Sequence, residues 1–477
     1  MCGILGQISK KELDSSLLCN QLKLINHRGP DNSDFYISAN KKVFFGHTRL
    51  SILDLSNNGN QPMKTSCGRY IISFNGEIYN FKELKNNISH FEKEHFFVGS
   101  SDTEILLTHI KFFGLKETLK IARGMFAFAL YDNNENKLYL ARDRAGEKPL
   151  YYGFIDDTIF FSSELKCFSF FKELKLSKNA LNLYMAQGNV PAPYSIYENI
   201  FKLIPGTCLE YTDNSNYNTF SYWELDSEQS NDISNLEESY SQFEQLFLDA
   251  LSEQMIADVP LGAFLSGGID SSCVVAGMKE ISNSTVKTHT IAFKESQYDE
   301  SDAAKNISNY LGTEHHEFTF DSKDALDLVP RLATIYCEPF ADSSQIPTYF
   351  LSKLTRSNVK VSLSGDGGDE LFGGYNRYIF FNRFQNTISK FSFPTRKFLS
   401  DFCLRAMENS FMKSIMSSFF EKIFHSKSSI EKLEKICHLL RKETFQDIYF
   451  ALLQQWDYED WPLSYSYSSN PRMIYDQ

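Results

Sequence analysis

The sequence predicts two domains of different fold class, an α+β domain at residues 2–211 and an α/β domain at residues 238–477. In the first part, short β-rich runs are separated by turn residues. In the second part, strands alternate with amphipathic helices, which is the pattern of a parallel, doubly wound sheet. Residues 212–237 between the two parts are polar and rich in Asn, Ser and Asp, which predicts a linker.

The first domain is predicted to be an antiparallel sheet protein with helices. Alternating or continuous apolar runs of strand length mark its strands. The segment SDTEILLTHIKFFG starts with a capping-type Ser101 and Asp102 and continues with apolar residues at helical spacing, which predicts a helix. The strands are predicted in VFFGHTRLSILD, YIISFNGEIYN, MFAFALYD, KLYLARD and TIFFSSE.

The second domain alternates helix and strand patterns in chain order. The helices are predicted in SYSQFEQLFLDALSEQMI, SSCVVAGMKEIS and DAAKNISNYLG, and the strands in VPLGAFLS, THTIAF and NVKVSLS. The last hundred residues are predicted to be mostly helical. A parallel sheet of this kind binds its ligands at the carboxyl ends of its strands, so the loops that follow the strands are the candidate sites.

Composition excludes several classes of function. The formal net charge is −12 and the basic residues form no stripe, which argues against a nucleic-acid or anionic-membrane surface. The nine cysteines are scattered singly, which indicates a reducing compartment without a disulfide framework. No signal peptide and no apolar run near 18 residues is visible, so we expect a cytoplasmic protein without a transmembrane helix.

The segment SGGIDSS, Ser266–Ser272, lies between a predicted strand and a predicted helix. Its adjacent glycines allow a tight turn that aims backbone N–H groups at an anion, and the helix N-terminus adds its dipole. Asp270 supplies a carboxylate where Mg²⁺ could bridge phosphates. Because the chain has no GxxxxGK[ST] motif, this loop is not the phosphate loop of a kinase or GTPase.

A second loop, SLSGDGGDELFGGY at Ser362–Tyr375, also follows a predicted strand. It holds Asp366, Asp369 and Glu370 among five glycines. Carboxylates this close together repel one another unless a cation lies between them, and Mg²⁺ bound with ATP would supply one.

These two loops together resemble the synthetase domain of glutamine-dependent asparagine synthetases, and SGGIDSS resembles the pyrophosphate loop of N-type ATP pyrophosphatases. The resemblance implies that ATP adenylates an acceptor carboxylate and that pyrophosphate is released. It also implies a Mg²⁺ site at Asp270 and Asp369, and it places Asp366 opposite the acceptor. The implied ATP-binding residues are Leu265, Ser266, Gly267, Gly268, Asp270, Ser271, Ser272, Phe293, Ser364 and Gly365.

The chain begins MCGILGQ, and removal of Met1 would make Cys2 the N-terminal residue. A free α-amine has a pKa of about 7.7–8.0, so it can act as the base for the thiol of the same residue. The motifs NHRGPD, GHTRLSILD, FNGEIYN and SSDTE resemble those of class II glutamine amidotransferases, which have an αββα N-terminal-nucleophile fold. The resemblance implies Cys2 as the nucleophile, Asn75 and Gly76 as the oxyanion hole, and Arg49, Glu77 and Asp102 as the glutamine-binding residues.

The two resemblances imply one reaction, in which ammonia released from glutamine attacks an acyl-adenylate. With aspartate as the acceptor the products are asparagine, glutamate, AMP and pyrophosphate. A sugar uronic acid is an alternative acceptor, because some relatives are associated with surface-polysaccharide loci. An amidotransferase of the phosphoribosyl type shares the Cys2 half but lacks the pyrophosphatase loop. The expected partners are glutamine, aspartate and ATP, and homodimers are common in the family.

The sequence departs from the family at its end. Members usually continue with a segment that carries a lysine acting on the phosphates, whereas no lysine follows Lys442 here. We therefore expect the synthetase domain to be incomplete at its C-terminus. A third alternative follows from this expectation, a shortened remnant with only glutaminase or binding activity.

Overall fold

The computed structural model describes residues 1–155, 158–171, 174–212, 216–225, 235–293, 299–408 and 429–455. The chain forms two compact units. The first consists of Met1–Tyr184 and Asn189–Gly365, and the second consists of Met185–Gly188 and Asp366–Gln477. Within the described residues, no helix is both long enough and apolar enough to cross a lipid bilayer.

The amino-terminal part of the first unit contains twelve strands in two antiparallel sheets of six strands each. The strands are β1 (Gly3–Ser9), β2 (Asn32–Ile37), β3 (Val43–Arg49), β4 (Met63–Lys64), β5 (Tyr70–Ile78), β6 (Gly124–Asp132), β7 (Lys137–Arg142), β8 (Tyr151–Ile155), β9 (Thr158–Ser162), β10 (Ile200–Lys202), β11 (Thr207–Tyr211) and β12 (Tyr217–Ser221). The strand orders are β10-β8-β9-β1-β3-β2 and β12-β11-β7-β6-β5-β4.

Five helices accompany these sheets, α1 (Ser15–Lys23), α2 (Phe81–Phe91), α3 (Asp102–Phe113), α4 (Leu115–Ile121) and α5 (Lys178–Gln187). Capping residues define where they begin, since Asp14 accepts two backbone N–H bonds at the start of α1 and Ser101 accepts one at the start of α3.

The two sheets stack face to face with helices on both outer sides. Phe45 of β3 and Ala127 of β6 belong to one buried cluster between the sheets. Phe44, the neighbour of Phe45, points the other way and packs with Leu18 of α1. The outer face of the second sheet packs on α2 and α3 through residues such as Phe74 and Leu106. Because β3 is covered on both faces, it is a continuous buried run, and the predicted αββα sandwich is confirmed.

The third sheet has four parallel strands in the order β15-β14-β13-β16. Its strands are β13 (Leu261–Phe264), β14 (Lys287–Phe293), β15 (Glu314–Phe320) and β16 (Val361–Leu363), and the helices that connect or flank them are α6 (Leu236–Gln254), α7 (Ile269–Ile281), α8 (Ser301–Leu311), α9 (Ser322–Leu328), α10 (Leu332–Tyr336) and α11 (Gln345–Thr355). Along the chain, β14 and β15 are added on one side of β13, and β16 is then added on the opposite side of β13. The crevice at such a reversal is where open α/β sheets bind ligands.

The described part of the second unit is helical, as predicted. Its helices are α12 (Gly368–Phe372), α13 (Asn376–Ile388), α14 (Phe393–Glu408), α15 (Ser429–Leu440) and α16 (Phe445–Leu453). Met407 of α14 packs with Leu433 and Cys437 of α15, and Ile388 of α13 packs with Ile448 of α16.

The range predicted as a linker contains regular structure at both ends. Strand β12 pairs antiparallel with β11, and helix α6 begins at Leu236. The ring of Tyr217 stacks on Phe154 at a centroid distance of 4.6 Å, which attaches β12 to the sandwich. Residues 213–215 and 226–234 of this range lie outside the described residues.

Candidate active site

Cys2 lies directly before β1, and its thiol faces the residue that follows β3. The backbone N–H of Leu50 donates to Cys2 Sγ at 3.4 Å, and the thiol donates to the carbonyl of Leu50 at 3.7 Å. Gly3 makes this approach feasible, because a Cβ at that position would lie 2.6 Å from Thr48 Oγ1. Arg28 Nε donates to the carbonyl of Cys2 at 2.8 Å, so the backbone of Cys2 is fixed from a third side.

The amino group at the start of the chain is buried beside this thiol. Burial, with a smaller contribution from the neighbouring cations Arg28 and Lys148, lowers the pKa of the Met1 amine to about 5. Burial raises the pKa of the Cys2 thiol, whereas the amino group lowers it. Removal of Met1 would leave a free amine on Cys2 itself, in surroundings that favour the unprotonated base.

Lys148 is a buried cation that the sequence analysis did not select, although it lies in the stretch AGEKPLYY. Its side chain is 6% exposed, and its Nζ lies 2.8 Å from Met125 Sδ. Burial lowers the pKa of Lys148, and the charge of Lys148 in turn lowers the pKa of Glu77. A lysine within the charged stretch ARDRAGEK gives no sequence signal that distinguishes a buried cation from an exposed one.

Glu77 and Asp102 are two carboxylates that converge near the thiol. Asp102 begins α3, and its Oδ2 accepts from the backbone N–H of Ile78 at 2.8 Å, which ties α3 to the residue after Glu77. Burial raises the pKa of Asp102 to about 6, and burial together with the charge of Asp102 raises the pKa of Glu77 well above its usual range. Two neighbouring carboxylates with raised pKa values are stabilised in their charged form by a cation between them.

Asn75 lies two residues before Glu77 on β5 and is fully buried. Neither Oδ1 nor Nδ2 of its side chain has a hydrogen-bond partner among the described residues. A buried amide without partners is destabilising, which is understandable if the partner is a ligand. The backbone of β5 is held on the other side, where Phe74 O bonds to Nε2 of the buried His47 at 3.0 Å.

Gly76 and Gly124 lie where β5 and β6 approach each other closely. A Cβ on Gly76 would be 2.1 Å from Met125 O, and a Cβ on Gly124 would be 2.1 Å from Glu77 O. Both obstacles are backbone atoms of the paired strand, which cannot swing aside. The two glycines therefore set the position of the backbone between Asn75 and Glu77.

Arg49 ends β3, and its guanidinium is enclosed by the loop that follows. Its Nη1 donates to Ser56 O at 2.7 Å and to Asn60 Oδ1 at 2.8 Å, while its Nη2 donates to the carbonyls of Leu53 and Asp54. Arg49 is 5% exposed. Four protein oxygens thus occupy the donors that the resemblance assigns to the α-carboxylate of glutamine.

The raised pKa of Asp102 predicts an acidic limit to glutamine hydrolysis. The carboxylate must be ionised to attract an ammonium group, so kcat/KM for glutamate release is expected to fall about tenfold per pH unit below pH 6, because the free enzyme then binds a proton instead. In Asp102→Asn, kcat/KM should be low throughout and the decrease centred near pH 6 should be absent. A pH profile of glutamate release between pH 4.5 and 8 measures both.

Asp132 provides the matched control, since it is a buried carboxylate whose pKa Arg69 holds below the usual range. Asp132→Asn should keep the decrease near pH 6. If Asp102→Asn also kept it, the limit would belong to another group, such as Glu77 or the amine.

The loop after β13 is organised by its own serines. Ser266 Oγ accepts from Gly268 N at 3.1 Å and lies 2.9 Å from Ser271 Oγ, and Ser272 Oγ donates to Gly268 O at 2.6 Å. Helix α7 begins at the next residue without a side-chain cap, so the first N–H groups of a 13-residue helix are directed out of the loop. Asp270 lies in the first turn of this helix.

The structure brings the loop after β16 to the same place. A Cβ on Gly365 would lie 2.6 Å from Ser271 N and 2.9 Å from the Asp270 backbone, so the two loops touch at the reversal of the strand order. Leu265 is buried, Phe293 ends β14, and Ser364 directly follows β16. Gly267 packs on α8, where a Cβ would lie 2.7 Å from the Cβ of Ala303.

Asp366 and Asp369 belong to the second unit, with Asp369 in the first turn of α12. The loop curls tightly around Asp369, because a Cβ on Gly374 would lie 2.0 Å from Asp369 Oδ1. Among the described residues, no group of three or more His, Cys, Asp and Glu side chains is arranged to hold a metal. One or two carboxylates with substrate phosphates are the usual Mg²⁺ donors, and Asp270 and Asp369 are each a carboxylate of that chemical type.

Comparison with known proteins matches each half of the chain to a family. Residues 1–223 match the family described as glutamine amidotransferase domain, and residues 242–470 match the family described as asparagine synthase. A putative glutamine-hydrolysing asparagine synthetase of Methanocaldococcus jannaschii is 39% identical over 402 residues, which are 80% of this chain and 76% of that protein. Asparagine synthetase 1 of Bacillus subtilis is 35% identical over 385 residues, which are 79% of this chain and 59% of that protein.

A solved glutamine phosphoribosylpyrophosphate amidotransferase from B. subtilis aligns with 68% of this chain and 70% of its own, at 16% identity and a TM-score of 0.36.

Proposed function

The chain belongs to the glutamine-hydrolysing asparagine synthetase family, and on that premise we propose that it uses ATP to transfer the amide nitrogen of glutamine to the side-chain carboxylate of aspartate. The products are asparagine, glutamate, AMP and pyrophosphate.

In the glutaminase half, the thiol of Cys2 attacks the side-chain amide of glutamine, and the amine of Cys2 accepts the thiol proton and delivers it to the leaving nitrogen. A thioester forms, the C–N bond breaks and ammonia leaves. Asn75 Nδ2 and the backbone N–H of Gly76 stabilise the oxyanion of each tetrahedral intermediate. Water then hydrolyses the thioester and glutamate is released.

In the synthetase half, the carboxylate of aspartate attacks the α-phosphorus of ATP, and pyrophosphate leaves. The serines and N–H groups of the loop Ser266–Ser272 bind the phosphates. The nucleoside is contacted by Leu265, Phe293, Ser364 and Gly365. Asp366 faces the acceptor. Asp270, and Asp369 by the family resemblance, would hold Mg²⁺, which would supply positive charge to the phosphates of ATP. Ammonia attacks the acyl-adenylate, which forms the amide and expels AMP.

One observation carries the glutaminase half of the proposal, namely the buried carboxylates Glu77 and Asp102 beside the thiol of Cys2. Each carboxylate has a raised pKa because burial disfavours its charge. The α-ammonium of an amino acid is the cation that would stabilise both, while the amide at the other end of glutamine reaches the nucleophile.

The test separates the two halves by measuring two products in one incubation. Purified chain with glutamine, aspartate and Mg–ATP is expected to release glutamate and pyrophosphate. In Asp270→Asn, aspartate-dependent pyrophosphate release should fall by about 100- to 1,000-fold, because the carboxylate that would hold Mg²⁺ at the phosphates is lost. Glutamate release should change less than about twofold, since Asp270 has no part in the thiol chemistry.

Asp249→Asn is the matched control, because Asp249 is exposed on α6 and its carboxylate accepts from Gln245 Nε2 of the same helix at 2.9 Å. It should leave both products unchanged. Glutamate without pyrophosphate from the unaltered chain would contradict aspartate as the acceptor, and uronic acids would then be tested in its place. The absence of both products would contradict the proposed function as a whole.

A further inference from the structure

Residues Leu50–Asp54, here called the thiol-facing segment, connect the nucleophile with the glutamine-binding arginine. At one end, Leu50 contacts the thiol of Cys2 through both its N–H and its carbonyl. At the other end, the carbonyls of Leu53 and Asp54 accept from Arg49 Nη2. Any displacement of this segment therefore moves the surroundings of the thiol and of the guanidinium together.

The segment is attached to the third sheet by two hydrogen bonds of one residue. Asp258 N donates to Ile52 O at 3.0 Å, and Asp258 Oδ2 accepts from Asp54 N at 2.8 Å. Asp54 has a positive φ of 54°, a conformation that a non-glycine residue adopts at some energetic expense. A charged acceptor on its N–H helps to hold that conformation.

A second attachment reaches the same segment from the neighbouring strand. Asp31 Oδ2 accepts from Ser51 N at 2.8 Å and from Lys360 Nζ at 2.5 Å. The backbone N–H of Lys360 donates to Pro260 O at 3.0 Å, so the two attachments are themselves connected. Asp258 and Lys360 lie just before β13 and β16, the two strands whose carboxyl ends lead into the loops that touch at Gly365 and Ser271.

We propose that Asp258 is a positioning residue for glutamine hydrolysis, supplied to the glutaminase site by the synthetase half of the chain. This inference rests on the proposed function. Asp258 does not touch glutamine. It holds the thiol-facing segment, whose carbonyls at Leu53 and Asp54 fix the guanidinium of Arg49 and whose Leu50 contacts the thiol, so that the glutamine site keeps its shape. Its loss should therefore weaken glutamine binding more than it slows the chemical step.

The experiment compares steady-state glutamate release by three variants of the full chain. Asp258→Ala removes the acceptor and is expected to raise KM for glutamine about five- to tenfold, with kcat changed less than about twofold, because a hydrogen bond to a charged group is lost at a partly exposed site. Asp258→Asn keeps an acceptor oxygen for Asp54 N and should restore KM to within about twofold of the original.

Glu253→Ala is the control. Glu253 also joins the two halves of the chain, through a 2.8 Å bond from Arg123, but that bond does not involve the thiol-facing segment. It should leave KM for glutamine unchanged. Equal KM values in Asp258→Ala and Glu253→Ala would overturn the inference, as would an Asp258→Asn variant that is as impaired as Asp258→Ala.

Two further measurements keep the inference separate from folding and from the proposed function. Lys360→Met disturbs the second attachment independently and should also raise KM, so the inference can be tested if Asp258→Ala fails to fold. If the unaltered chain releases no glutamate, the proposed function fails. The accessibility of the Cys2 thiol can then be measured instead, as the rate at which iodoacetamide alkylates Cys2, with the product quantified by peptide mapping. Alkylation at least about threefold faster in Asp258→Ala than in Glu253→Ala would support the inference, because the segment that covers the thiol is loosened, and equal rates would overturn it.

Discussion

Replacing Cys2 with alanine is expected to reduce glutamate release by about four orders of magnitude or more, because the thiol proposed to form the thioester is removed. The reaction supplied with ammonium salt in place of glutamine should keep its rate of aspartate-dependent pyrophosphate release, since the thiol takes no part in adenylation. Glutamate and pyrophosphate measured from the same incubations, with glutamine and then with ammonium, provide both results.

Cys67→Ala is the control for this experiment. Cys67 is exposed, and a hydrogen bond with Thr65 lowers the pKa of its thiol, so general thiol reactivity would favour Cys67 over the half-buried Cys2. The Cys67 variant should hydrolyse glutamine normally. Substantial glutamate release by Cys2→Ala would contradict the role of Cys2 and would direct attention to a different nucleophile.

Asn75→Ala is expected to lower kcat for glutamine hydrolysis by about 100- to 1,000-fold, with a smaller effect on KM. The reason is that an oxyanion-hole donor acts on charge that develops only in the transition state. The same substitution should leave the thermal midpoint of unfolding unchanged or raise it, because the buried amide has no hydrogen-bond partner to lose among the described residues. Kinetics and thermal unfolding of the same preparation measure the two effects.

Ser73 is the matched control for Asn75. It lies two residues earlier on β5, it is fully buried, and its hydroxyl also lacks a partner among the described residues. Ser73→Ala should be neutral for kcat, since the hydroxyl has no role toward glutamine. A fall in thermal midpoint that matches the loss of activity in Asn75→Ala would indicate a structural role and contradict the assignment.

The fold class could be predicted from the sequence, and Cys2 and the two candidate ATP loops could be proposed from it, because each is encoded by local patterns. Strand and helix periodicity distinguished the antiparallel domain from the parallel sheet, and the family resemblance added the αββα sandwich. The glycines of SGGIDSS and SLSGDGGDELFGGY indicated tight turns at strand ends, and their contact through Gly365 and Ser271 follows from the strand order. The parallel sheet also explains why segments about a hundred residues apart meet.

Other features could not be predicted, because they depend on backbone atoms or on distant partners. Leu50 acts through its peptide N–H and carbonyl, which carry no side-chain signature. Asp258 bonds to residues about two hundred positions earlier, and Lys148 is distinguishable from a surface lysine only by its burial. The polar composition of residues 212–237 concealed β12, which is stabilised by the contact of Tyr217 with Phe154.

The close approach of β5 and β6 at Gly76 and Gly124 has a consequence for how this enzyme can evolve. Each glycine faces a backbone oxygen of the other strand at 2.1 Å from where a Cβ would be, so a substitution at either position cannot be compensated by trimming a neighbouring side chain. Neither neutral drift nor directed evolution can therefore replace either glycine with a larger residue. Selection for a new acceptor would have to proceed through the loops after β13 and β16, while the ammonia-producing half is inherited unchanged.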